Sequence, residues 1–260
     1  GVRIGAATTL DEVLESPYLE DYTAIIQAID GINSMQLQAQ GTLGGEICQR
    51  PRCWFFRNGQ GLLSADVVDG DNRYHAILGN TGTAKFVSSS RIGPALIALG
   101  AKVRIAGPKQ DQERVVSVED FFRTPRQEGQ RETILEPKQL VTDILLPAID
   151  GQTSSTYEVR ISEGPDTPLA SASVVLKREA GVVRDAQVVL GQVAPTPWVS
   201  SEARNVLLGQ PVSEEMAEKA GAAAVSVARP LSENGYKVDL AKVAVKRAVL
   251  LAGGFETGGF

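Results

Sequence analysis

The sequence predicts an α+β protein of two domains. Segments with helical spacing of apolar residues and segments that alternate polar and apolar residues are mixed along the 260 residues. Two strand–turn–strand patterns predict antiparallel hairpins. A polar stretch at residues 150–155 marks a change in composition. We therefore expect one domain over residues 1–149 and a second over residues 150–260.

The bulk composition narrows the possible functions. The formal net charge is −5 and the pI is about 5.1, so no overall basic field favours nucleic acid or an anionic membrane. No apolar run reaches the ~18 residues that span a bilayer, and residues 1–5 do not resemble a signal peptide. Two cysteines fit a reducing compartment. We expect a cytoplasmic protein, and Gly1 in place of Met suggests a processed or incomplete chain.

The first residues predict a strand followed by two helices. Residues 2–9 are typical of a short strand that leads into a helix, and Thr9 and Glu12 have the spacing of a capping box. Residues 18–33 follow helical spacing, and Gly31 fits the end of that helix. We expect a loop with a glycine turn at residues 34–46.

The rest of the first half predicts short elements. Residues 58–72 are rich in Gly, Asn and Asp and predict an exposed loop. The residues at 102–106 and 114–118 alternate polar and apolar character, which indicates a hairpin. The other expected elements are strands at 74–80, 85–87 and 141–147 and helices at 92–99 and 118–122.

The second half predicts a three-stranded antiparallel sheet packed by helices. The expected strands are 155–161, 168–177 and 182–193, and a turn at residues 179–181 joins the last two. The expected helices are 200–208, 213–227 and 238–251, the first after a Ser cap.

Two short segments are candidate binding sites. Thr42-Leu43-Gly44-Gly45 has adjacent glycines outside any helical period, which allows backbone to approach a phosphate or ribityl chain closely. A glycine turn between packed strands explains the same spacing equally well. Ser89 and Ser90 either donate to a cofactor or serve only as helix caps. A basic cluster at Arg50, Arg52 and Arg57 predicts a solvated or ligand-facing surface.

Six motifs follow one another in a fixed order and resemble one family. They are R-I-G-A-A-T-T-L-D-E-V at 3–13, Q-L-Q-A-Q-G-T-L-G-G at 36–45, N-R-Y-H-A-I-L-G at 72–79, S-S-R-I-G-P-A-L at 89–96, V-V-L-G-Q-V-A-P-T-P-W at 188–198 and L-S-E-N-G-Y-K at 231–237. Together they resemble the flavin-binding medium subunits of the xanthine dehydrogenase and carbon monoxide dehydrogenase family of molybdenum hydroxylases. The resemblance covers nearly the whole chain.

The resemblance implies a fold, cofactors and partners. It implies part of an FAD-binding α/β domain of the PCMH or VAO type at 1–149 and a carbon monoxide dehydrogenase flavoprotein C-terminal-like domain at 150–260. In such complexes a large molybdopterin-binding subunit oxidises the substrate, and a small [2Fe–2S] subunit passes the electrons to FAD. The implied role is an oxidoreductase subunit that transfers electrons through FAD to an acceptor, with no catalytic residue of its own.

The resemblance also implies which residues contact FAD. The main chain of the Thr-Leu-Gly-Gly segment is implied to donate to ribityl and phosphate oxygens, with the Thr42 hydroxyl adding a further donor. Tyr157 is also implied to lie near the flavin. The complete implied set is Thr42, Leu43, Gly44, Gly45, Glu46, Ser89, Ser90 and Val141.

The chain departs from the family pattern at several positions. Family members begin with a subdomain that carries an A-G-G-T diphosphate loop, and the resemblance starts partway through the flavin domain, so we expect either a fragment or a subunit that has lost part of its FAD-binding surface. Glu46 replaces an Asn and is expected to bond a sugar or ribityl hydroxyl, because a carboxylate repels phosphate. Arg91 occupies the position of a family Asp. A Lys that the family has close to Tyr157 is absent, and Glu158 is found there instead. These departures leave open a cofactor-free structural or interaction subunit with the same fold. A stand-alone flavoenzyme, such as a cell-wall sugar reductase, would need a substrate-domain acid that is not apparent.

Metal and nucleophile signatures are weak in this sequence. Some relatives hold a [4Fe–4S] cluster on four cysteines, and Cys53 keeps one such position, whereas Cys48 and Cys53 alone match no metal motif. We expect no [4Fe–4S] cluster in this chain. His75, the single histidine, is expected to be structural in a strand. The aromatic residues at 54–56 either stack on a flavin or pack in the core.

Overall fold

The computed structural model describes residues 1–109, 111–162 and 164–257. Each half of the chain forms an antiparallel four-stranded sheet, in the orders β1-β4-β2-β3 and β5-β6-β7-β8. The α+β class is therefore confirmed. The strands are β1 (Val2–Gly5), β2 (Lys102–Ala106), β3 (Glu113–Ser117), β4 (Leu140–Leu146), β5 (Gln152–Val159), β6 (Ala170–Glu179), β7 (Val182–Gly191) and β8 (Trp198–Val199).

Most helices of the described chain are short, and five of the eleven begin at a capping hydroxyl. The side chains of Ser34, Thr42, Ser117, Ser200 and Ser213 each accept an N–H from the first turn of a helix. The helices are α1 (Leu10–Leu14), α2 (Thr23–Asp30), α3 (Met35–Gln40), α4 (Leu43–Ile47), α5 (Trp54–Arg57), α6 (Asp66–Asp69), α7 (Gly93–Ala98), α8 (Val118–Phe121), α9 (Ser201–Leu207), α10 (Glu214–Ala224) and α11 (Lys237–Ala252).

Several local predictions for the first half are confirmed. The Thr9 N–H donates to Glu12 Oε2 at 2.8 Å, as the capping box requires. The β2–β3 hairpin, β4, α7 and α8 form where the sequence predicts them. Helix α2 begins five residues later than predicted, at Thr23. The preceding turn is held by the Tyr22 hydroxyl, which donates to the Pro147 carbonyl at 2.7 Å.

Other predictions for the first half are wrong. The expected strands at 74–80 and 85–87 are irregular, because their backbone groups bond to side chains and to loops instead of to strands. The Asn234 side chain donates to the His75 and Ala76 carbonyls, and the Val193 carbonyl accepts from two N–H groups of this segment. The expected loop at 34–46 contains α3 and α4, and the expected loop at 58–72 contains α6.

The second sheet has one strand more than the sequence predicts. Strand β8 pairs with β7 through Leu190 and Trp198, so the three-stranded prediction is corrected to four. The predicted turn between β6 and β7 is confirmed, with Ala180 and Gly181 at φ of 50° and 80°. These two positive φ values are typical of a type I′ hairpin turn. The helices predicted at 200–208, 213–227 and 238–251 correspond to α9, α10 and α11.

Each half buries a core, and each core includes residues of the other half: Val175 and Val189 of the second sheet lie in the first core. The first core surrounds the first sheet with α2 and α7, and the second surrounds the second sheet with α9, α10 and α11. Ile77 and Leu78 come from the first half of the sequence but are fully buried in the second core. Apolar burial of this kind is the main stabilising term in folding, so residues of the first half help to stabilise the second.

A buried ion pair also joins the two halves. The Arg91 guanidinium donates to both carboxylate oxygens of Glu158, with Nε–Oε1 and Nη2–Oε2 distances of 2.7 and 2.6 Å. Their side chains are 8% and 6% exposed. A Cβ on Gly31 would lie 2.4 Å from Glu158 Oε2, so this glycine makes room for the carboxylate. The pair fixes β5 against the segment before α7.

We expect Glu158→Ala to destabilise the protein by about 3 to 5 kcal/mol, because it leaves a buried guanidinium without its carboxylate. The double variant Arg91→Met/Glu158→Met should lose less, since no unpaired charge remains. The free energy of unfolding in urea measures both. Glu215→Gln, which breaks the exposed Lys219–Glu215 pair, is the control and should cause no measurable change. A Glu158→Ala loss no larger than that of the double variant would contradict the role of the pair.

Candidate functional site

A cleft lined by residues of both halves is the candidate functional site. It consists of two adjoining cavities with volumes of about 320 and 380 Å³. Arg52, Ser89 and Thr167 line both of them. We call the first the aromatic cavity and the second the glycine cavity. The sizes are typical of small-molecule sites, which usually combine apolar walls with a few polar groups.

The aromatic cavity has a largely apolar wall. Trp54 packs edge-on against Tyr74 and His75, with ring centroids 5.5 and 5.7 Å apart. Val87 and Leu169 also line this cavity. Such edge-to-face arrangements stabilise aromatic clusters beyond simple burial. The cavity therefore suits a flat, mostly apolar group.

A thiol and an imidazole lie side by side in the aromatic cavity. Cys53 Sγ is 3.1 Å from His75 Nε2. Burial raises the pKa of the Cys53 thiol, and burial together with the nearby Lys237 lowers the pKa of His75 to about 4. Both groups are therefore neutral at pH 7, and they share one hydrogen bond between Sγ and Nε2. A thiol in this state is a poor nucleophile, and the expectation of a structural His75 agrees with its 3% exposure.

The glycine cavity contains the segment that the sequence singled out. Thr42 begins α4 and accepts the Gly45 N–H at 3.1 Å on its side-chain oxygen. Gln40, Gly41 and Gly45 line the cavity, and Gly45 is exposed to it. Leu10 from the first helix adds an apolar edge. The open glycine in this cavity is Gly45.

Four of the eight predicted FAD contacts line the cleft and four do not. Those that line it are Thr42, Gly45, Glu46 and Ser89. Leu43, Gly44, Ser90 and Val141 are buried elsewhere. The Leu43 and Gly44 N–H groups donate to the Thr8 and Ala6 carbonyls at 3.0 and 2.8 Å. The predicted backbone donation by Leu43 and Gly44 is therefore corrected, because these donors are already used within the protein.

The position of Gly44 is explained by packing. A Cβ on Gly44 would lie 2.7 Å from the Ala6 Cβ and 2.9 Å from the Ala6 carbonyl oxygen. The absence of a side chain thus lets α4 approach the turn that follows β1. A Cβ on Gly45 would meet only the Thr42 side-chain oxygen, at 2.9 Å. The two adjacent glycines therefore have different roles.

Glu46 holds the start of α7. Its carboxylate accepts from the Ser90 hydroxyl at 2.8 Å, from the Ile92 N–H at 3.4 Å and from the Arg91 N–H. Complete burial raises the pKa of the Glu46 carboxyl, and the bonds from Arg91 and Ser90 oppose that rise. Both carboxylate oxygens bond within the protein while Glu46 lines the glycine cavity, so the expected contact with a sugar hydroxyl stays a prediction.

Three cations lie along the cleft, and one has unused donors. Arg91 is paired with Glu158. Lys237 Nζ donates to three backbone carbonyls, of Tyr74, His75 and Gln192. Within the described part of the chain, the Arg52 guanidinium donates only to the Gln49 side-chain oxygen, at 3.3 Å. Its exposed head therefore has donors left for an anion.

Sequence reasoning pointed to Arg52 only as part of a basic cluster, and it missed Lys237. The three arginines of that cluster have different partners in the structure. Arg57 Nε donates to the Pro51 carbonyl, and Arg50 pairs with Glu132. Lys237 lies far along the chain, in the L-S-E-N-G-Y-K motif. That motif was the available signal, although its spacing alone does not place a lysine in the cleft.

The described residues offer no cluster suited to a metal ion. No group of three or more His, Cys, Asp or Glu side chains comes together among them. Cys48 and Cys53 are both free thiols, and burial raises the pKa of Cys48 to about 11. Over the same described ranges, no helix is long and apolar enough to cross a membrane.

Comparison with known proteins identifies two matching family models. The FAD binding domain in molybdopterin dehydrogenase matches residues 1–149, and the CO dehydrogenase flavoprotein C-terminal domain matches residues 155–252.

Individual relatives extend these matches. The aldehyde oxidoreductase FAD-binding subunit PaoB of Escherichia coli K12 is 28% identical over 258 residues, covering 93% of this chain and 75% of that protein. The carbon monoxide dehydrogenase medium chain of Afipia carboxidovorans is 30% identical, covering 70% of this chain and 62% of that protein. A solved carbon monoxide dehydrogenase from Hydrogenophaga pseudoflava, which lacks the Mo-pyranopterin moiety, superposes with a TM-score of 0.71 at 24% identity. That superposition covers 97% of this chain and 75% of the other.

Gly44→Ala and Gly45→Ala form a matched pair that tests the packing role. We expect Gly44→Ala to destabilise the protein by about 1 to 3 kcal/mol, because its methyl group overlaps the Ala6 backbone. Gly45→Ala should stay within about 1 kcal/mol of the wild type, since the helical preference of alanine offsets a contact with one side-chain oxygen. Thermal unfolding of both variants measures the difference. Equal stabilities would show that Gly44 is not a packing glycine.

Glu46→Gln tests the buried carboxylate. Since the folded-state pKa of Glu46 is raised, the folded state binds the proton more tightly than the unfolded chain does. The wild type should therefore lose stability relative to Glu46→Gln as pH rises from about 4.5 through the raised pKa. The measurement is the difference in unfolding free energy between the two proteins from pH 4 to pH 8. A difference that is constant, or that changes with the opposite sign, would rule out a raised pKa.

Proposed function

The chain belongs to the family of FAD binding domains in molybdopterin dehydrogenases, and we propose that it transfers electrons through FAD within a molybdenum-dependent hydroxylase. In this proposal a small partner subunit supplies electrons from [2Fe–2S] clusters, and a large partner subunit carries the molybdopterin cofactor. FAD passes the electrons to an acceptor. In this proposal the protein works in the cytoplasm, in keeping with its two free thiols. Residues 1–149 form the FAD-binding domain and residues 150–260 the C-terminal domain.

The continuous cleft is the observation that carries this proposal. FAD joins a flat ring system to a polar, anionic chain, and the cleft joins a cavity walled by Trp54 and Tyr74 to one that contains the open Gly45, with Arg52 lining both. The donor set also fits, because Arg52 has unused donors for a diphosphate. The residues present therefore suit the cofactor, although Leu43 and Gly44 do not contribute their N–H groups to it.

Each part of the cleft then has a stated task. Trp54, Tyr74 and Leu169 exclude water from the aromatic cavity and orient the ring system. The Thr42 hydroxyl and the Arg52 guanidinium bind the polar chain and its phosphates. When bound, FAD supplies reversible two-electron chemistry, and the protein supplies binding, orientation and electrostatics.

One observation favours the second candidate, a cofactor-free interaction subunit. Two backbone donors of the Thr-Leu-Gly-Gly segment, those of Leu43 and Gly44, are engaged inside the protein. A chain of this kind would keep the cleft without binding a flavin. The same measurement separates the two candidates.

The test is the visible absorption spectrum of the purified protein before and after FAD is added. We expect a flavin spectrum that persists after desalting, with one FAD per chain at saturation. No saturable binding of FAD or of FMN would overturn the proposal and support the cofactor-free subunit.

Arg52 variants test where the anionic part of FAD binds. Arg52→Ala should weaken FAD binding roughly 10- to 100-fold, because it removes a charge-assisted hydrogen bond to phosphate. Arg52→Lys keeps the charge but loses the planar fork, so its affinity should lie between those of the wild type and Arg52→Ala. Quenching of flavin fluorescence gives the dissociation constants.

Arg184→Ala is the matched control, since Arg184 pairs with Glu179 on the second sheet and does not line the cleft. It should bind FAD as the wild type does. If Arg184→Ala weakened binding as much as Arg52→Ala, overall charge and not a specific contact would be responsible. If Arg52→Ala bound normally, the assignment of Arg52 would be wrong.

A further inference from the structure

We propose that Lys237 is a positioning residue that stabilises the anionic reduced form of the flavin and thereby sets its midpoint potential. The proposal rests on the proposed function, because it takes the ring system of FAD to occupy the aromatic cavity. It concerns a buried residue of the aromatic cavity, whereas Arg52 is exposed and lines both cavities.

Lys237 is a buried cation on the cavity wall. Its side chain lines the aromatic cavity, and the residue is 1% exposed. Nζ lies 2.7 Å from the Gln192 carbonyl oxygen and 3.2 Å from those of Tyr74 and His75. These three acceptors match the three donors of an ammonium group. The charged form thus has a complete set of hydrogen bonds.

The charge on Lys237 is not neutralised within the protein. Among the described residues, no carboxylate forms an ion pair with it. Burial lowers the pKa of Lys237 to about 7, as is usual for a cation without an anionic partner. The other titratable groups on this cavity are the exposed Arg52, the Tyr74 phenol, Asp166, which is exposed and accepts from Ser162, and the neutral Cys53 and His75. The cavity therefore lacks a buried negative charge, and an anion placed there would supply it.

Reduction of FAD supplies such an anion. Two electrons and one proton convert FAD into FADH⁻, whose charge lies on the ring system. A cation beside a ring is one of the means by which a protein tunes the electronics of a cofactor. Because Lys237 is desolvated, its interaction with that charge is stronger than the interaction of an exposed lysine would be. Lys237 therefore favours the reduced state over the oxidised one.

The test is the midpoint potential of bound FAD, measured by dithionite titration with a reference dye. In Lys237→Gln and Lys237→Met, affinity for reduced FAD should fall at least tenfold more than affinity for oxidised FAD. For a two-electron couple this lowers the potential by about 30 mV or more. Lys237→Arg should keep the wild-type potential. A purely structural role would weaken binding of both redox states equally and leave the potential unchanged.

Lys85→Gln is the matched control, because Lys85 Nζ also donates to a backbone carbonyl, that of Asn80, and does not line the cleft. The proposal is overturned if Lys237→Gln binds FAD at the wild-type potential, or if Lys85→Gln shifts the potential equally. Should the neutral variants not fold, the reduced wild type still decides: its spectrum should be that of the anionic form, and a neutral reduced spectrum would overturn the proposal. Failure of the wild type to bind FAD would instead refute the proposed function.

Discussion

Arg91 connects the two halves of the protein because two different carboxylates hold it. Glu46 accepts its backbone N–H, and Glu158 accepts both sides of its guanidinium. The first contact fixes the start of α7 against α4, and the second fixes β5 against the same segment. Both carboxylates are buried, where an unpaired charge is costly. Glu46 and Arg91 both line the glycine cavity, so this arrangement forms part of the wall of the cleft.

The pair of Arg91 and Glu158 also accounts for two departures from the family pattern. The resemblance placed an Asp where Arg91 stands and a Lys near Glu158, so each change taken alone reverses a charge. In the structure the two changed residues bond to each other. The arrangement preserves a neutral pair on the cleft wall. The Arg91 departure, which the sequence counted against a flavin, is therefore balanced by the Glu158 departure.

The sequence predicts the regular helices and strands well. It predicts poorly the segments whose backbone groups bond to distant side chains instead of to a neighbouring strand. The β2–β3 hairpin and the turn at Ala180 and Gly181 follow from local alternation and turn chemistry, which act between neighbouring residues. Residues 74–80 alternate in a strand-like manner, yet their carbonyls are used by Asn234 and Lys237, more than 150 positions later in the chain. In the cleft, Thr42 and Gly45 were predictable from glycine spacing. The burial of Gly44 against Ala6 was not, because it depends on the turn after β1.

The segment from Asn72 to Ser88 gives the fold an interlocked character. Its side chains and carbonyls bond to Ser232, Asn234 and Lys237, and Ile77 and Leu78 complete the second core. A chain cut near residue 150 would thus leave the C-terminal piece with an open apolar hole and unsatisfied polar groups. The two pieces cannot be exchanged independently between relatives unless this segment travels with the C-terminal one. The unit that recombination would have to keep together therefore consists of two separate stretches of sequence, residues 72–88 and the C-terminal half.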